Sequence, residues 1–161
     1  MLPPDPSGRV GALLAAYRDT HYEVAMPDGS IATLRVGQGA PPAILDWMQP
    51  DPLTAFVSAD NPHSCAVPNA DNTLRHAALQ GRLRALPCRV LPGLGHVPGS
   101  AWRENALLVA GLDLGTLDAL ARAFDQNAIV IAHRGGPARL RMYRPEWRAL
   151  VPTAVDLDWA E

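Results

Sequence analysis

Lysine is absent from the sequence, cysteine occurs only twice, and no apolar run approaches the roughly 20 residues that a membrane-spanning helix needs. Cys65 and Cys88 provide neither a CxxC motif nor a disulfide framework. The N-terminal segment MLPPDPSGRVGALLAAY carries an acidic residue and prolines where a secretory signal needs positive charge. We therefore expect a cytoplasmic protein without a membrane association.

Every basic residue is an arginine, and the 16 acidic residues outnumber the 14 arginines, so the formal net charge is −2. This balance disfavours a protein that coats nucleic acid by charge alone. The arginine and alanine content suggests a GC-rich bacterial genome. The length of 161 residues fits one domain that folds without metal or disulfide. We expect residues 1–7 to be disordered and residues 8–161 to form a single α+β domain.

The pattern of apolar residues predicts an N-terminal helix over residues 8–19 and a β-hairpin formed by residues 22–26 and 31–36. A short helix over residues 41–48 follows. Strands are then predicted at 53–58, 89–91, 105–110 and 128–132, with helices at 71–86 and 116–124. The segment 92–102 is predicted as a Gly- and Pro-rich loop, and a last strand covers 139–143.

From residue 53 to residue 132 the predicted order is strand-helix-strand-strand-helix-strand, which is the split βαβ order of a ferredoxin-like core. Right-handed crossovers place both helices of such a core on one face of the sheet. The added N-terminal helix and β-hairpin then either cover the opposite face or extend the sheet. The tail beyond residue 145 has no assignable pattern.

Several short motifs follow one another in a characteristic order between residues 12 and 132. They are Asn61-Pro62-His63-Ser64, Asp71-Asn72-x-x-Arg75, the segment 93–99, Trp102-Arg103-Glu104, Leu107-Leu108-Val109 and Phe124-Asp125-Gln126-Asn127-Ala128. With their spacing, these motifs resemble a family of small bacterial proteins catalogued as domain of unknown function 3293. The resemblance implies a shared fold and a shared polar site, and it implies no activity. The chain departs from the family pattern at Asp60, His76 and Ala106.

A polar loop over residues 59–70 joins a buried strand to a helix N-terminus, and ligands often bind at such strand ends. One interpretation makes Asn61, Ser64, Asn72 and Arg75 the lining of a pocket for a polar small molecule or an anion. In the other, these residues only form turns and helix caps, and Arg75 pairs with Asp71.

Glu104 stands beside Trp102, directly after the Gly-rich segment. A carboxyl group against an indole ring often has a raised pKa, so Glu104, with His96, is a candidate general acid–base pair. The alternative is a surface carboxylate that pairs with an arginine. The glycine pattern is not GxGxxG and lacks a P-loop lysine, so these motifs do not support nucleotide binding.

Gln126 and Asn127 precede the strand 128–132, which we expect to approach the end of the strand 53–58 and hence Asn61. Their amides either bind a ligand or satisfy loop carbonyls. His63, Cys65, His76 and His96 lack metal-ligand spacing, so no metal and no cofactor is expected. Cys65 is more simply a small apolar residue than a nucleophile, and the arginines at 139 and 141 are interpreted as a solvated strand face.

Three hypotheses follow. The first is a small-molecule-binding or regulatory module with a polar pocket, and the second is an enzyme that uses Glu104 on a small or nucleotide-like substrate. The third is a protein-interaction domain or homodimer that uses a sheet edge and the tryptophans 147 and 159. Convergence of Asn61, Arg75, Glu104 and Gln126 favours the first two, and a Glu104 without an arginine partner favours the enzyme.

Overall fold

The computed structural model describes residues 6–161, which form an α+β fold. Its α-helices are α1 (Pro6–Asp19), α2 (Pro42–Met48), α3 (Asn69–Arg84) and α4 (Leu114–Ala123). Its strands are β1 (His21–Ala25), β2 (Ile31–Leu34), β3 (Leu53–Ser58), β4 (Arg89–His96), β5 (Arg103–Ala110), β6 (Ala128–His133), β7 (Arg139–Met142) and β8 (Leu157–Trp159). Short 3-10 helices cover Pro62–Ser64 and Pro145–Leu150.

The strands form one curled sheet in the order β2-β1-β4-β5-β3-β6-β7-β8. Neighbouring strands are antiparallel except β7 and β8, which are parallel. Bridges from Val36 to Ala138 and from Gly39 to Pro137 join the segment after β2 to the start of β7. The sheet is therefore larger than expected from the sequence, because the hairpin extends it at one side and the C-terminal segment at the other.

The two faces of the sheet bury different clusters because side chains alternate along each strand. On the convex face, α3 and α4 cover Ala55 and Val57 of β3. On the concave face, α1 and α2 pack with Phe56 of β3 and with the inner residues of β1, β2 and β7. The end of β3 thus emerges between two packed layers, and this position holds the polar loop.

Strand β4 corrects the prediction of a loop over residues 92–102, because the strand continues to His96 and pairs with both β1 and β5. Of its glycines, Gly93 is required by the packing of the sheet. A Cβ atom on Gly93 would lie 2.6 Å from Cε2 of Phe56, so the ring occupies the space that a side chain would need. Composition alone suggested a loop, whereas close packing explains the glycine.

The disordered N-terminus was predicted for residues 1–7, of which residues 1–5 lie outside the described residues. Pro6 and Ser7 are the first residues of α1. The single-domain assignment stays a prediction. Across residues 6–161, no helix has both the length and the apolar character needed to cross a membrane.

Candidate functional site

A cavity of about 50 Å³ opens on the concave face, between α1, the end of β3 and the start of β5. Phe56, Val130 and Leu140 supply part of its apolar surface. Its polar lining comes from chain segments that are far apart in sequence. The lining residues with polar or aromatic side chains are Tyr17, Tyr22, Phe56, Ser58, Asn61, Ser64, Trp102, Glu104, Gln126 and Asn127.

Six of the residues predicted for the site line this one cavity, and they are Asn61, Ser64, Trp102, Glu104, Gln126 and Asn127. Asn72 and Arg75 lie behind the loop and hold it in place. His96 lies on the opposite face of the sheet. Asn61, Glu104 and Gln126 therefore meet in one cavity, as expected of a pocket. Arg75 supports them but does not line the cavity.

Glu104 supplies the carboxyl group that lines the cavity. Burial is the main cause that raises the pKa of Glu104 to about 8, the nearby Asp60 carboxylate raises it further, and the Ser58 hydroxyl acts against both. Within residues 6–161 no arginine forms an ion pair with Glu104. At neutral pH the Glu104 carboxyl is therefore mostly protonated.

Asp60 lies beside Glu104 and is only 3% exposed. Its Oδ2 atom accepts a hydrogen bond of 2.8 Å from the Asn105 N–H. Its Oδ1 atom is buried and has no hydrogen-bond partner among the residues that the structure describes. Burial raises the pKa of Asp60, although the hydrogen bond from the Asn105 N–H and the electrostatic interactions with His76 and Arg75 oppose the rise. Two carboxyl groups with raised pKa values are thus adjacent at the end of β3.

The loop after β3 holds its polar groups in an unusual backbone conformation. Asn61, His63 and Ser64 have φ angles of +47°, +56° and +58°, the left-handed region that side chains other than glycine seldom adopt. Asn72 stabilises this loop, because its Oδ1 accepts from the Asn61 N–H and its Nδ2 donates to Asn61 Oδ1, both at 2.9 Å. Such conformations persist where the surrounding structure enforces them, and they concentrate at functional sites.

Arg75 ties the end of β3 to the end of α4. Its Nε donates to the Ala59 carbonyl at 2.6 Å, and one of its terminal nitrogens donates to the Phe124 carbonyl. The ion pair predicted with Asp71 is not formed, and the nearest carboxylate oxygen is that of Asp125 at 3.8 Å. Arg75 is therefore a positioning residue for the loop.

A chain of hydrogen bonds crosses the cavity from α1 to β6. The Tyr17 and Ser64 hydroxyl oxygens are 2.5 Å apart, and Asn127 Nδ2 donates to Ser64 Oγ at 2.9 Å. Gln126 Nε2 donates to the Asp60 carbonyl at 3.0 Å. Burial raises the pKa of Tyr17, while its hydrogen bonds to Ser64 and Asn127 oppose the rise. The amides of Gln126 and Asn127 thus satisfy loop groups and also face the cavity.

Sequence reasoning missed Tyr17, Tyr22, Ser58 and Asp60 as site residues. The two tyrosines fall within the apolar patterns that predict α1 and β1, so these patterns gave no reason to place them in a site. Their hydroxyls were the available signal, because a buried tyrosine hydroxyl needs a partner. Asp60 was noticed only as a departure from the family pattern.

The proposed pair of Glu104 and His96 is not formed. Gly95, and not His96, lies opposite Glu104 in the β4–β5 register, so the His96 side chain leaves the other face of the sheet. There its Nε2 atom is 2.6 Å from Glu23 Oε1. Asp60 is instead the ionisable neighbour of Glu104.

The remaining expectations concern metals, arginines and tryptophans. Over the described range, no three His, Cys, Asp or Glu side chains form a group that could hold a metal ion. The solvated strand face expected at 139 and 141 is wrong for Arg141, which forms ion pairs of 2.7 Å with both Asp118 and Asp158. Trp147 is buried and Trp159 is partly buried against the concave core, so they present no exposed apolar patch.

Residues 57–129 match the model of a family described as protein of unknown function (DUF3293). No curated protein and no solved structure matches the chain. The resemblance to this family is thus supported over the segment that carries Asn61, Ser64, Glu104, Gln126 and Asn127. Tyr17 and Tyr22, which complete the cavity, lie outside the matched segment. The match assigns no function.

Proposed function

We propose that this chain, which resembles a family of unknown function over its central segment, is a binding or regulatory module for a small polar molecule. The observation that carries the proposal is the convergence of Asn61, Glu104 and Gln126 from three distant segments on one hollow. Its apolar floor and few polar groups are typical of small-molecule sites. The same arrangement disfavours a purely capping role, because Glu104 caps no helix.

The size of the cavity limits what enters it. A water molecule needs roughly 10–15 Å³ of such volume, so a cavity of about 50 Å³ accepts a group of only a few non-hydrogen atoms. The remainder of a larger ligand would lie along Trp102, whose side chain is 38% exposed at the rim. A whole nucleotide would not fit inside.

We further propose a ferredoxin-like core for the segment from β3 to β6. The strand order β4-β5-β3-β6 and the antiparallel pairing within it support this assignment. The placement of both α3 and α4 against one face supports it as well. We also propose that the protein is bacterial and cytoplasmic and that neither nucleic acid nor a membrane is its partner. A homodimer formed through the edge strands β2 and β8 is the alternative to a monomer.

Acid–base catalysis by Glu104 is the second candidate function, and one specific observation favours it. A carboxyl whose pKa lies at about 8 and that lacks an arginine partner among the described residues can donate a proton to a bound substrate at neutral pH. Asp60 replaces His96 in this hypothesis, since it is the neighbouring group that helps to keep the proton on Glu104. The substrate would be as small as the cavity requires.

A thermal-shift screen against a library of metabolites tests the binding proposal, because a ligand of the folded state stabilises it by mass action. The screen compares the wild-type chain with Glu104→Gln and with the control Glu146→Gln, which alters an exposed carboxylate. We expect compounds that raise the Tm of the wild-type chain and of Glu146→Gln but not of Glu104→Gln. A screen in which every stabilising compound acts equally on all three chains, or in which none is found, contradicts the proposal.

NMR spectra of each stabilising compound, recorded over hours with the protein present, test the second candidate. An enzyme converts the compound in the presence of the wild-type chain and leaves it unchanged with Glu104→Gln. A compound that binds through Glu104 and stays intact supports the binding module and counts against the enzyme.

A further inference from the structure

The cavity described above is lined by acidic groups that can become negatively charged and, among the described residues, by no basic side chain. Its ionisable lining residues are Glu104 from β5, Tyr17 from α1 and Tyr22 from β1. Neither an arginine nor a histidine lines it in the described part of the chain. Arg75 is close, but its guanidinium is engaged by the Ala59 and Phe124 carbonyls outside the cavity.

Several polar groups around the cavity can accept further hydrogen bonds. Gln126 spends its amide nitrogen on the Asp60 and Phe124 carbonyls, which leaves its amide oxygen as an acceptor. Behind the cavity, the buried Oδ1 of Asp60 has no hydrogen-bond partner in residues 6–161. The Glu104 carboxyl adds two further acceptor oxygens once it has released its proton. A ligand group that donates several hydrogen bonds therefore suits this wall better than one that accepts them.

Aromatic rings form much of the remaining surface. Tyr17, Tyr22, Phe56 and Trp102 all line the cavity, and Tyr22 meets Phe56 edge to face with ring centroids 5.2 Å apart. The faces of such rings attract cations, most strongly where water is excluded. An anion would be repelled by the negative faces of these rings and by the carboxyl groups of Glu104 and Asp60.

We propose that the group bound in this cavity is a small organic cation, namely a protonated primary amine on a short apolar stem. This inference rests on the proposed binding function and specifies its ligand class. The ammonium group donates to Glu104 and to the Gln126 oxygen. The stem contacts Phe56 and Leu140. The ligand supplies the positive charge that no lining residue provides.

Proton release follows from this assignment. An unoccupied Glu104 carries its proton at pH 7, and the ammonium ion replaces that proton with its own charge. Affinity for the amine therefore rises up to about tenfold per pH unit from pH 6 and levels off above about pH 8, as the carboxyl becomes fully ionised. The hydroxyls of Tyr17 and Tyr22 stay protonated over this range because burial raises their pKa values, and Asp60 is the remaining charged neighbour.

Three probes of equal length but different charge test the proposal: propylammonium, propan-1-ol and propanoate. Carbon-13 NMR of the glutamate side-chain carboxyls follows each titration of the wild-type protein at pH 6, 7 and 8. We expect saturable binding of propylammonium, at least tenfold tighter at pH 8 than at pH 6, with a lowered pKa for Glu104. Neutral and anionic probes should bind at least tenfold more weakly than propylammonium at pH 8.

Glu104→Gln should weaken propylammonium binding at least tenfold and remove its pH dependence, while Glu146→Gln leaves both unchanged. Should the variant not fold, measurement of the Glu104 pKa in the wild-type protein with and without propylammonium still decides the test. Binding of propan-1-ol or propanoate at the cavity with equal or higher affinity overturns the cation and leaves the binding function standing. If neither these probes nor any library compound acts through Glu104, the binding function fails as well.

Discussion

At the residue scale, the environment of Glu104 rather than its identity makes it unusual. The same side chain at position 146 lies exposed beside Arg144, whose hydrogen bond lowers the pKa of Glu146. At position 104, burial and the Asp60 carboxylate raise the pKa to about 8. One residue type thus has opposite protonation states at neutral pH in one molecule.

The pH dependence of stability should report this difference. The folded state holds the Glu104 proton up to about pH 8, whereas an unfolded Glu releases it near pH 4.3. The folded state therefore binds more protons between these values, and the free energy of unfolding falls as pH rises, by at most about 1.4 kcal/mol per pH unit. We expect Glu104→Gln to flatten this slope between pH 6 and pH 8 in urea denaturation.

Glu146→Gln is the matched control for this measurement. Its carboxylate has a lowered pKa, so it is ionised in both states throughout that range and its removal should leave the slope unchanged. A wild-type slope that survives Glu104→Gln would show that Glu104 is ionised in the folded protein, against the structure.

At the scale of the element, β4 contains two glycines whose surroundings differ. Gly93 and Gly95 lie on the concave side of β4, where β1 and β5 flank them. The two sites differ in the space above them. A Cβ on Gly93 would meet Phe56 Cε2 at 2.6 Å and Glu23 O at 3.2 Å, whereas at Gly95 the nearest atom is Thr20 Cγ2 at 3.6 Å.

We expect Gly93→Ala to destabilise the fold by about 1–3 kcal/mol, because the added methyl group overpacks the site and displaces the Phe56 ring. Gly95→Ala, on the same strand and face, should change stability by less than about 0.5 kcal/mol, since its methyl group meets only ordinary contacts. Chemical denaturation of both variants measures the difference. Equal effects of the two substitutions would contradict the assigned packing.

At the scale of the whole molecule, a buried ion-pair network attaches the C-terminal segment to the sheet. Arg141 of β7 donates to both oxygens of Asp118 on α4 and to Asp158 on β8, each at 2.7 Å. Tyr143 also donates to Asp118, at 2.8 Å. The Arg141 and Asp118 side chains are only 13% and 11% exposed. The network therefore couples a helix, the strand next to the edge of the sheet and the edge strand itself.

Removal of one partner from such a network leaves a buried charge without compensation. We expect Arg141→Leu to lower the free energy of unfolding by about 3 kcal/mol. Arg148→Leu, at an exposed position, should stay within about 0.5 kcal/mol of the wild-type chain. Thermal and urea denaturation of both variants provide the measurement, and an Arg141→Leu variant as stable as Arg148→Leu would refute the structural role of the network.

Local patterns in the sequence were sufficient for the element order between residues 53 and 132, because helical and strand periodicities depend on neighbouring residues alone. They also located the polar loop, and they made Glu104 a candidate for a raised pKa, with an arginine-paired surface carboxylate as the alternative. The structure attributes the raised pKa to burial and to Asp60. Six of the ten polar or aromatic residues that line the cavity were predicted from residue type and from position at strand ends. The α+β class followed from the same evidence.

Only the tertiary structure decided which side chains meet. A shift of one residue in register turns every side chain of a strand to the other face. The β4–β5 register separates Glu104 from His96, and the pairing of β3 with β5 brings the segment that carries Asp60 beside Glu104. The packing of α1 against the sheet and the place of β1 beside β4 bring Tyr17 and Tyr22 to the cavity from segments that show only an apolar pattern. The sequence determined which groups are available for chemistry, and long-range packing, which no local window contains, determined their partners and their charge.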